Sequence, residues 1–279
     1  MTNVFMFPGQ SSRYSGMLDR VIEAWTPARD IVLAASELLG RDLLGLYREG
    51  NDAAFDCNRD VQVGVFLANY LHMSAIEAAG VHAETSLGLS LGEINHLVHI
   101  GALDFEAALR LVDARGRAYD AGPRGMMAAL FPVDLEMVED VIERARSFGV
   151  VEIANLNSPS QFVVAGETAA VEEVMRLAED ELAVTPTPIE RQIPMHTSVF
   201  RPVADQLSPH LRAARWCAPK RDYISNVLGG FVERPNAEIF CDLLTRHVYS
   251  PVRWRESIDK VAERFPQATF VEVGPRGVL

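Results

Sequence analysis

Ser90 stands in Gly88-Leu89-Ser90-Leu91-Gly92, a serine with a glycine two residues to either side. The run 85–87 before it can form a strand, and 91–100 after it follows a helical pattern. A strand, tight turn and helix in that order would lift the hydroxyl clear of the backbone. The helix N-terminus beneath would offer free N–H groups to a developing oxyanion. That is the chemistry of a nucleophile elbow, in which serine forms a covalent ester. The five-residue pattern also arises by chance in many chains, so the rest of the sequence has to support it. A serine hydroxyl needs a base at neutral pH, and seven histidines are present. On residue type and context alone, His196 is as readily a structural histidine as a base. His72, His82, His96, His99 and His210 read as surface or packing residues, and His247 as a helix-end histidine.

The elements that must position these groups can be read from periodicity. Val4-Phe5-Met6-Phe7 reads as a first buried strand, and its neighbourhood lacks the basic n-region of a secretion signal. Up to about residue 124, strand-like runs alternate with helical patterns, including a mostly apolar helix at 61–79 and a helix at 105–119. The rhythm then changes. Strands are expected at 127–131, 150–156, 161–165 and 185–193, with amphipathic helices at 135–147 and 168–182 and a turn at 157–159. That βαββαβ order over some 70 residues is the ferredoxin-like unit. The earlier pattern resumes with helices at 197–213, 238–248 and 252–264 and strands at 223–227 and 269–273. The expected fold class is α/β. Residues 1–124 and 196–279 form an α/β-hydrolase-like large subdomain, and 125–195 form an inserted ferredoxin-like small subdomain. The junction between them is a natural ligand cleft.

Composition narrows the function classes. A chain of 279 residues, 48% hydrophobic and 23% charged, has the make-up of a globular protein with a large core. No apolar stretch approaches the ~20 residues of a membrane span. Net charge of −12 argues against nucleic acid or an anionic membrane as the main partner. Three scattered cysteines, Cys57, Cys217 and Cys241, have no metal-like spacing and point to a reduced, cytoplasmic compartment.

Further residues supply an ordered set of motifs. These are Phe7-Pro8-Gly9-Gln10, Gly88-Leu89-Ser90-Leu91-Gly92-Glu93, Gly101-Ala102-Leu103 and Arg115-Gly116, then Gly125-Met126-Met127-Ala128-Ala129 and Asn155-Leu156-Asn157-Ser158-Pro159 with Gln161. Pro194-Met195-His196, Ser225-Asn226-Val227, Ser250-Pro251-Val252-Arg253-Trp254 and Glu272-Val273-Gly274-Pro275 complete it. In register along essentially the whole chain, the set resembles the malonyl-CoA:acyl carrier protein transacylase family, which includes discrete acyltransferases of polyketide synthesis. Members usually continue through a short tail beyond the position of Gly277-Val278-Leu279.

The resemblance implies a ping-pong acyltransferase. Ser90 would be the nucleophile and His196 its base, with the histidine oriented by a main-chain carbonyl at the His247-Val248 step, where the family has Gln-Leu or Asn-Leu. The N–H groups of Gln10 and Leu91 would form the oxyanion hole. Arg115 would bind the malonyl carboxylate through a bidentate pair. Met195, beside the histidine, would help set acyl size; Met127, Asn157 and His247 would complete the substrate-binding set. Leu91 agrees with a malonyl rather than a branched substrate. Ser11 and Arg13 depart from the family's glycine and glutamine, and Ser11 would constrain a loop that needs unusual torsions. The implied substrates are malonyl-CoA and the phosphopantetheine thiol of an acyl carrier protein, with no bound cofactor or metal and a monomeric state. Because carrier proteins are acidic, a basic patch is expected near the entrance, with Arg212, Arg215, Lys220, Arg221, Arg253, Arg255 and Arg276 as candidates.

Within the same fold, the rival readings are transfer of a non-malonyl acyl chain between carrier proteins, or hydrolysis of stalled acyl chains. Met195, His247 and Ser11 favour these; Arg115 and Leu91 oppose them. A non-catalytic docking module would require an inert Ser90. A generic esterase lacks an acidic residue in a recognisable motif between Ser90 and His196.

Overall fold

The computed structural model describes residues 2–279; Met1, the first residue of the expected large subdomain, lies outside the described residues. The chain is mixed α/β. Its first part runs β1 (Asn3–Phe7), α1 (Met17–Ala24), α2 (Ala28–Leu39), α3 (Leu43–Leu46), α4 (Asn58–Ala78), β2 (Thr85–Gly88), α5 (Gly92–His99) and α6 (Phe105–Asp120). A second part follows as β3 (Met126–Leu130), α7 (Leu135–Ala145), β4 (Val151–Ser158), β5 (Gln161–Gly166), α8 (Thr168–Leu182) and β6 (Thr187–Glu190). The last comprises α9 (Arg201–Ala213), β7 (Ile224–Ser225), β8 (Gly230–Phe231), α10 (Ala237–His247), α11 (Trp254–Arg264) and β9 (Thr269–Glu272).

β1 is the centre of a three-stranded parallel sheet, order β2-β1-β9. Its Val4, Phe5 and Phe7 are fully buried, as a parallel strand covered on both faces requires. Phe7 pairs with Gly88, and Leu89 N–H continues the ladder to Phe7 O at 2.9 Å. The chain therefore leaves β1 into Pro8-Gly9-Gln10 and β2 into Leu89-Ser90 at adjacent carboxyl ends, where open α/β sheets hold their ligands. The expected alternation of strands and helices in the first part is corrected: among the described residues two strands form there, and α1 to α4 intervene between them. α4 is buried around most of its circumference and packs on α6. Asp120 at the end of α6 accepts the N–H groups of Asn58 and Arg59 at the open N-terminus of α4, at 2.7 and 3.0 Å.

The second sheet is antiparallel, order β4-β5-β3-β6. One face carries Met126, Ala128 and Leu130 against Val138, Val141, Val171 and Val174 of α7 and α8. Alternation along β3 turns Met127 to the opposite face, into the main core and the cleft. The 185–193 strand shrinks to β6, because Pro186 and Pro188 cannot donate to the ladder and the pairing shifts register opposite Met127 and Ala128. Asn157 and Ser158, expected in a turn, extend β4, and only Pro159 and Ser160 turn. The 223–227 strand is two residues long and pairs with β8, which the sequence had not suggested. Among the described residues, no helix is long and apolar enough to cross a membrane.

Candidate active site

Ser90 occupies the turn between β2 and α5 with φ of 52°, a left-handed angle that serine rarely adopts. Both flanking glycines are required by close approach. A Cβ on Gly92 would lie 2.1 Å from Phe7 O, and one on Gly88 would lie 2.1 Å from the carbonyl carbon of Gly92. The turn is braced by Asn226, whose Oδ1 accepts Ser90 N–H and whose Nδ2 donates to Gly88 O, both at 2.7 Å. In the sequence Asn226 stands within Ser225-Asn226-Val227 with no local sign of this bracing task.

His196 faces Ser90 from a turn with φ of 63°, not from a helix start as expected; a 3-10 turn at Ser198–Phe200 precedes α9. Its Nε2 lies 2.7 Å from Ser90 Oγ. The carbonyls left free at the C-terminus of α10 hold it: Nδ1 contacts His247 O at 2.8 Å, and its own N–H donates to Val248 O at 3.1 Å. A carbonyl can only accept, so the proton is on Nδ1 and Nε2 is free to accept from the hydroxyl. Burial, followed by the Arg115 cation, pushes the imidazole pKa down to about 3, against the His247 carbonyl, which favours the charged form. The imidazole is therefore neutral at physiological pH. The negative end of the α10 dipole favours the imidazolium that would form during proton transfer.

The buried shell around this pair is more ionic than the sequence suggested. Glu93, on the first turn of α5, accepts from Tyr223 Oη at 2.6 Å and from Asn226 N–H at 3.3 Å. Burial raises its pKa to about 7, against the pull of those hydrogen bonds and of Arg115. The His247 ring is buried with its centroid 4.9 Å from that of His196; its Nε2 has no hydrogen-bond partner and lies 3.7 Å from Glu93 Oε2. Arg115 is 3% exposed on α6; its Nη1 donates to Gln62 Oε1 at 2.6 Å, and its Cζ lies 4.2 Å from the Tyr119 ring centre. Its Nη2 is buried without a partner. Gln62 had no sequence signal, being one polar residue in an apolar helix.

A cavity of about 80 Å³ opens over Ser90 and His196, walled by Gln10, Met127, Met195 and Asn155. Among the described residues, the N–H groups of Gln10 and Leu91 have no acceptor, which leaves them open to an oxyanion. Asn157 is not in this cavity. β4 shifts register between Leu156 and Ser158, and Asn157 lines a separate groove with Trp254 and Phe270; Asn155 takes the place beside Ser90. Ser11 has no left-handed torsion, so the absence of glycine there costs nothing. None of the seven basic candidates of the C-terminal third borders the cavity, but Arg13 does. Hollows of about 350 and 570 Å³ elsewhere on the surface do not touch Ser90.

Residues 4–279 match the family model described as acyl transferase domain. The chain is 34% identical to the malonyl CoA-acyl carrier protein transacylase of Bacillus subtilis (strain 168), over 99% of this chain and 87% of that protein. The structure of an acyl-carrier-protein S-malonyltransferase from Burkholderia pseudomallei superimposes with a TM-score of 0.92 at 33% identity, over 100% of this chain and 91% of the other. A structure of a type II PKS acyl-carrier protein in complex with its malonyl-transacylase matches with a TM-score of 0.91 at 28% identity, over 99% and 89%.

Proposed function

The chain belongs to the acyl transferase family, and on that premise we propose that it carries a malonyl group from malonyl-CoA, through an ester on Ser90, to the phosphopantetheine thiol of an acyl carrier protein. The observation that carries this reading is the 2.7 Å contact between Ser90 Oγ and the unprotonated Nε2 of His196. His196 takes the hydroxyl proton as Oγ attacks the thioester carbonyl. The oxyanion is held by the N–H groups of Gln10 and Leu91, each such donor being worth about 3 kcal/mol. Collapse breaks the carbon–sulfur bond, and the departing CoA sulfur takes the proton back from His196. The carrier protein's thiol then gives its proton to His196 and attacks the malonyl-serine ester by the same route in reverse. These steps need no further cofactor, and a reduced, cytoplasmic setting suits a thiol substrate.

Arg115 supports malonyl as the acyl group. A buried guanidinium nitrogen without a partner is costly, and a carboxylate beside it would supply the missing acceptor. Met127 and Met195 bound a cavity of about 80 Å³, suited to a short acyl chain such as malonyl. The Bacillus relative's name and the carrier-protein complex support the same substrate and partner. We also read residues 125–195 as a ferredoxin-like subdomain inserted in an α/β-hydrolase-like unit; the strand order β4-β5-β3-β6 and the parallel sheet ending in the Ser90 turn support that division.

Radiolabelled malonyl-CoA should leave a stable label on wild-type protein and none on S90A, with acetyl-CoA a poor donor. R115A should lower kcat/KM for malonyl-CoA roughly 100-fold, the equivalent of one charge-assisted pair, while sparing or raising acetyl transfer. Equal losses for both donors would remove Arg115 from acyl recognition. Rapid release of free malonate without carrier protein would favour the hydrolase.

A further inference from the structure

Two opposite charges flank the mouth of the Ser90 cavity without neutralising each other. Arg13 follows the 3-10 turn Gln10–Ser12 that leaves β1, and Glu190 ends β6 of the antiparallel sheet, so they reach the cleft from its two sides. Both border the Ser90 cavity, and both border an adjoining hollow of about 30 Å³ that continues past Asp56 and Asn58. Among the described residues neither forms an ion pair. Among the described residues the Arg13 side chain makes one hydrogen bond, from Nη1 to Gln10 O at 3.1 Å, leaving the rest of its fork unused. Glu190 Oε1 accepts the N–H groups of Arg191 and Gln192, both at 2.8 Å, and Oε2 is free.

We propose that Arg13 and Glu190 together grip the amide of the pantetheine arm nearest the sulfur, Arg13 donating to its carbonyl and Glu190 accepting from its N–H. The inference rests on the acyl-transfer reading above. A trans amide is planar and presents its carbonyl and N–H on opposite edges. A slot that receives one needs a donor on one wall and an acceptor on the other, which is what these side chains supply. A phosphate would gain from Arg13 but would be repelled by Glu190 and by Asp56 next to it. In the arm the phosphate is also far from the sulfur, while the first amide is two methylenes away, within reach of residues that share a cavity with Ser90. The same amide occurs in CoA and in the carrier protein's prosthetic group, so one grip serves both half-reactions.

The test compares acylation of Ser90 by malonyl-N-acetylcysteamine, which has this amide, with malonyl S-propyl thioester, which lacks it, and with malonyl-CoA. The readout is the ratio of kcat/KM for the amide-bearing donor to that for the amide-free one, in which the fraction of folded enzyme cancels. R13A should lower that ratio about tenfold, the equivalent of one charge-assisted hydrogen bond. R13K, which keeps a charged donor, should recover most of it, and E190Q should lower it as well. An unchanged ratio overturns the inference; so does a fall in all three donors alike, which would mean that Arg13 acts through the Gln10 loop. A loss confined to malonyl-CoA also overturns it, placing Arg13 at the nucleotide end. If the wild type labels Ser90 from none of these donors, the acyl-transfer reading and this inference fall together; the other outcomes overturn this inference alone.

Discussion

Ser90 and His196 both sit at backbone angles that side-chain-bearing residues avoid, at a cost of order 1–3 kcal/mol each. Such angles persist only where neighbours over-determine them. For His196 the neighbours are the end carbonyls of α10; for Ser90 they are the two amide atoms of Asn226. Removing that amide by N226A leaves the Ser90 N–H and the Gly88 carbonyl without their buried partners, each worth about 1–3 kcal/mol. We expect kcat to fall roughly 10- to 100-fold as the hydroxyl loses its aim. KM for malonyl-CoA should stay within about twofold, because Asn226 touches the turn rather than the cavity. Burst kinetics with malonyl-CoA would show this; an unchanged acylation rate would make Asn226 a packing residue. The Ser90–His196 contact and the His247 carbonyl behind it were legible in the sequence because motif order brought chemically distinctive residues into line. Asn226 and Glu93 lay inside those motifs, yet their tasks depend on contacts 130 to 138 residues away, which no local pattern reveals. Asn157 was misplaced for a different reason: in a regular strand it would share a face with Asn155, but the register shift between Leu156 and Ser158 turns it away and leaves Asn155 beside the serine.

At the level of elements, the site depends on how closely α5 approaches the end of β1. Gly92 opens α5 directly against the Phe7 carbonyl, and a methyl there would meet backbone on both Phe7 and Pro8, which cannot rotate away. G92A should therefore destabilise the protein by about 3 kcal/mol or prevent folding, a larger loss than usual because the clash is with main chain. Urea unfolding would measure it, and a midpoint equal to that of the wild type would mean that β1 and α5 can separate at little cost. Helices with a strong apolar stripe, such as α6, α7 and α8, were legible to within a residue or two at most of their ends. Strands were less so: β6 is cut short by two prolines, and β7 by its pairing with β8 across a tight turn. The helices α1 to α3 were not resolved individually, since short amphipathic segments without sharp stop signals merge in a single sequence.

Across the whole molecule, the buried polar groups decide how it responds to acid. Five histidines, His72, His96, His99, His196 and His247, are held below the ordinary value, chiefly by burial. His96 shows the structural stake. Its Nε2 accepts the Ile224 N–H at 3.0 Å, so Nδ1 carries the proton toward Ser86 Oγ at 2.7 Å, and the ring ties β2 to β7. Burial, followed by repulsion from His99, pushes it to about 3, and His99 is pushed to about 4. A histidine depressed in the folded state binds fewer protons there than when unfolded, so its contribution is intact above about 6.5 and is lost as pH falls toward the folded value. Glu93 works in the opposite sense: raised to about 7, it takes up a proton in the folded state first and adds stability as pH falls from about 7 toward 4.5. One carboxyl cannot offset five imidazoles, so the urea midpoint should be lower at pH 5 than at pH 7.5. A midpoint at pH 5 equal to or above that at pH 7.5 would show that water or a neighbour stabilises the charged rings. Because His196 itself stays neutral down to about 3, loss of transfer activity near pH 5 should track unfolding, not titration of the base. Intrinsic fluorescence and malonyl transfer followed after the same pH jump should then decay together; activity lost at once, ahead of any change in fluorescence, would assign the acid limb to the active site instead.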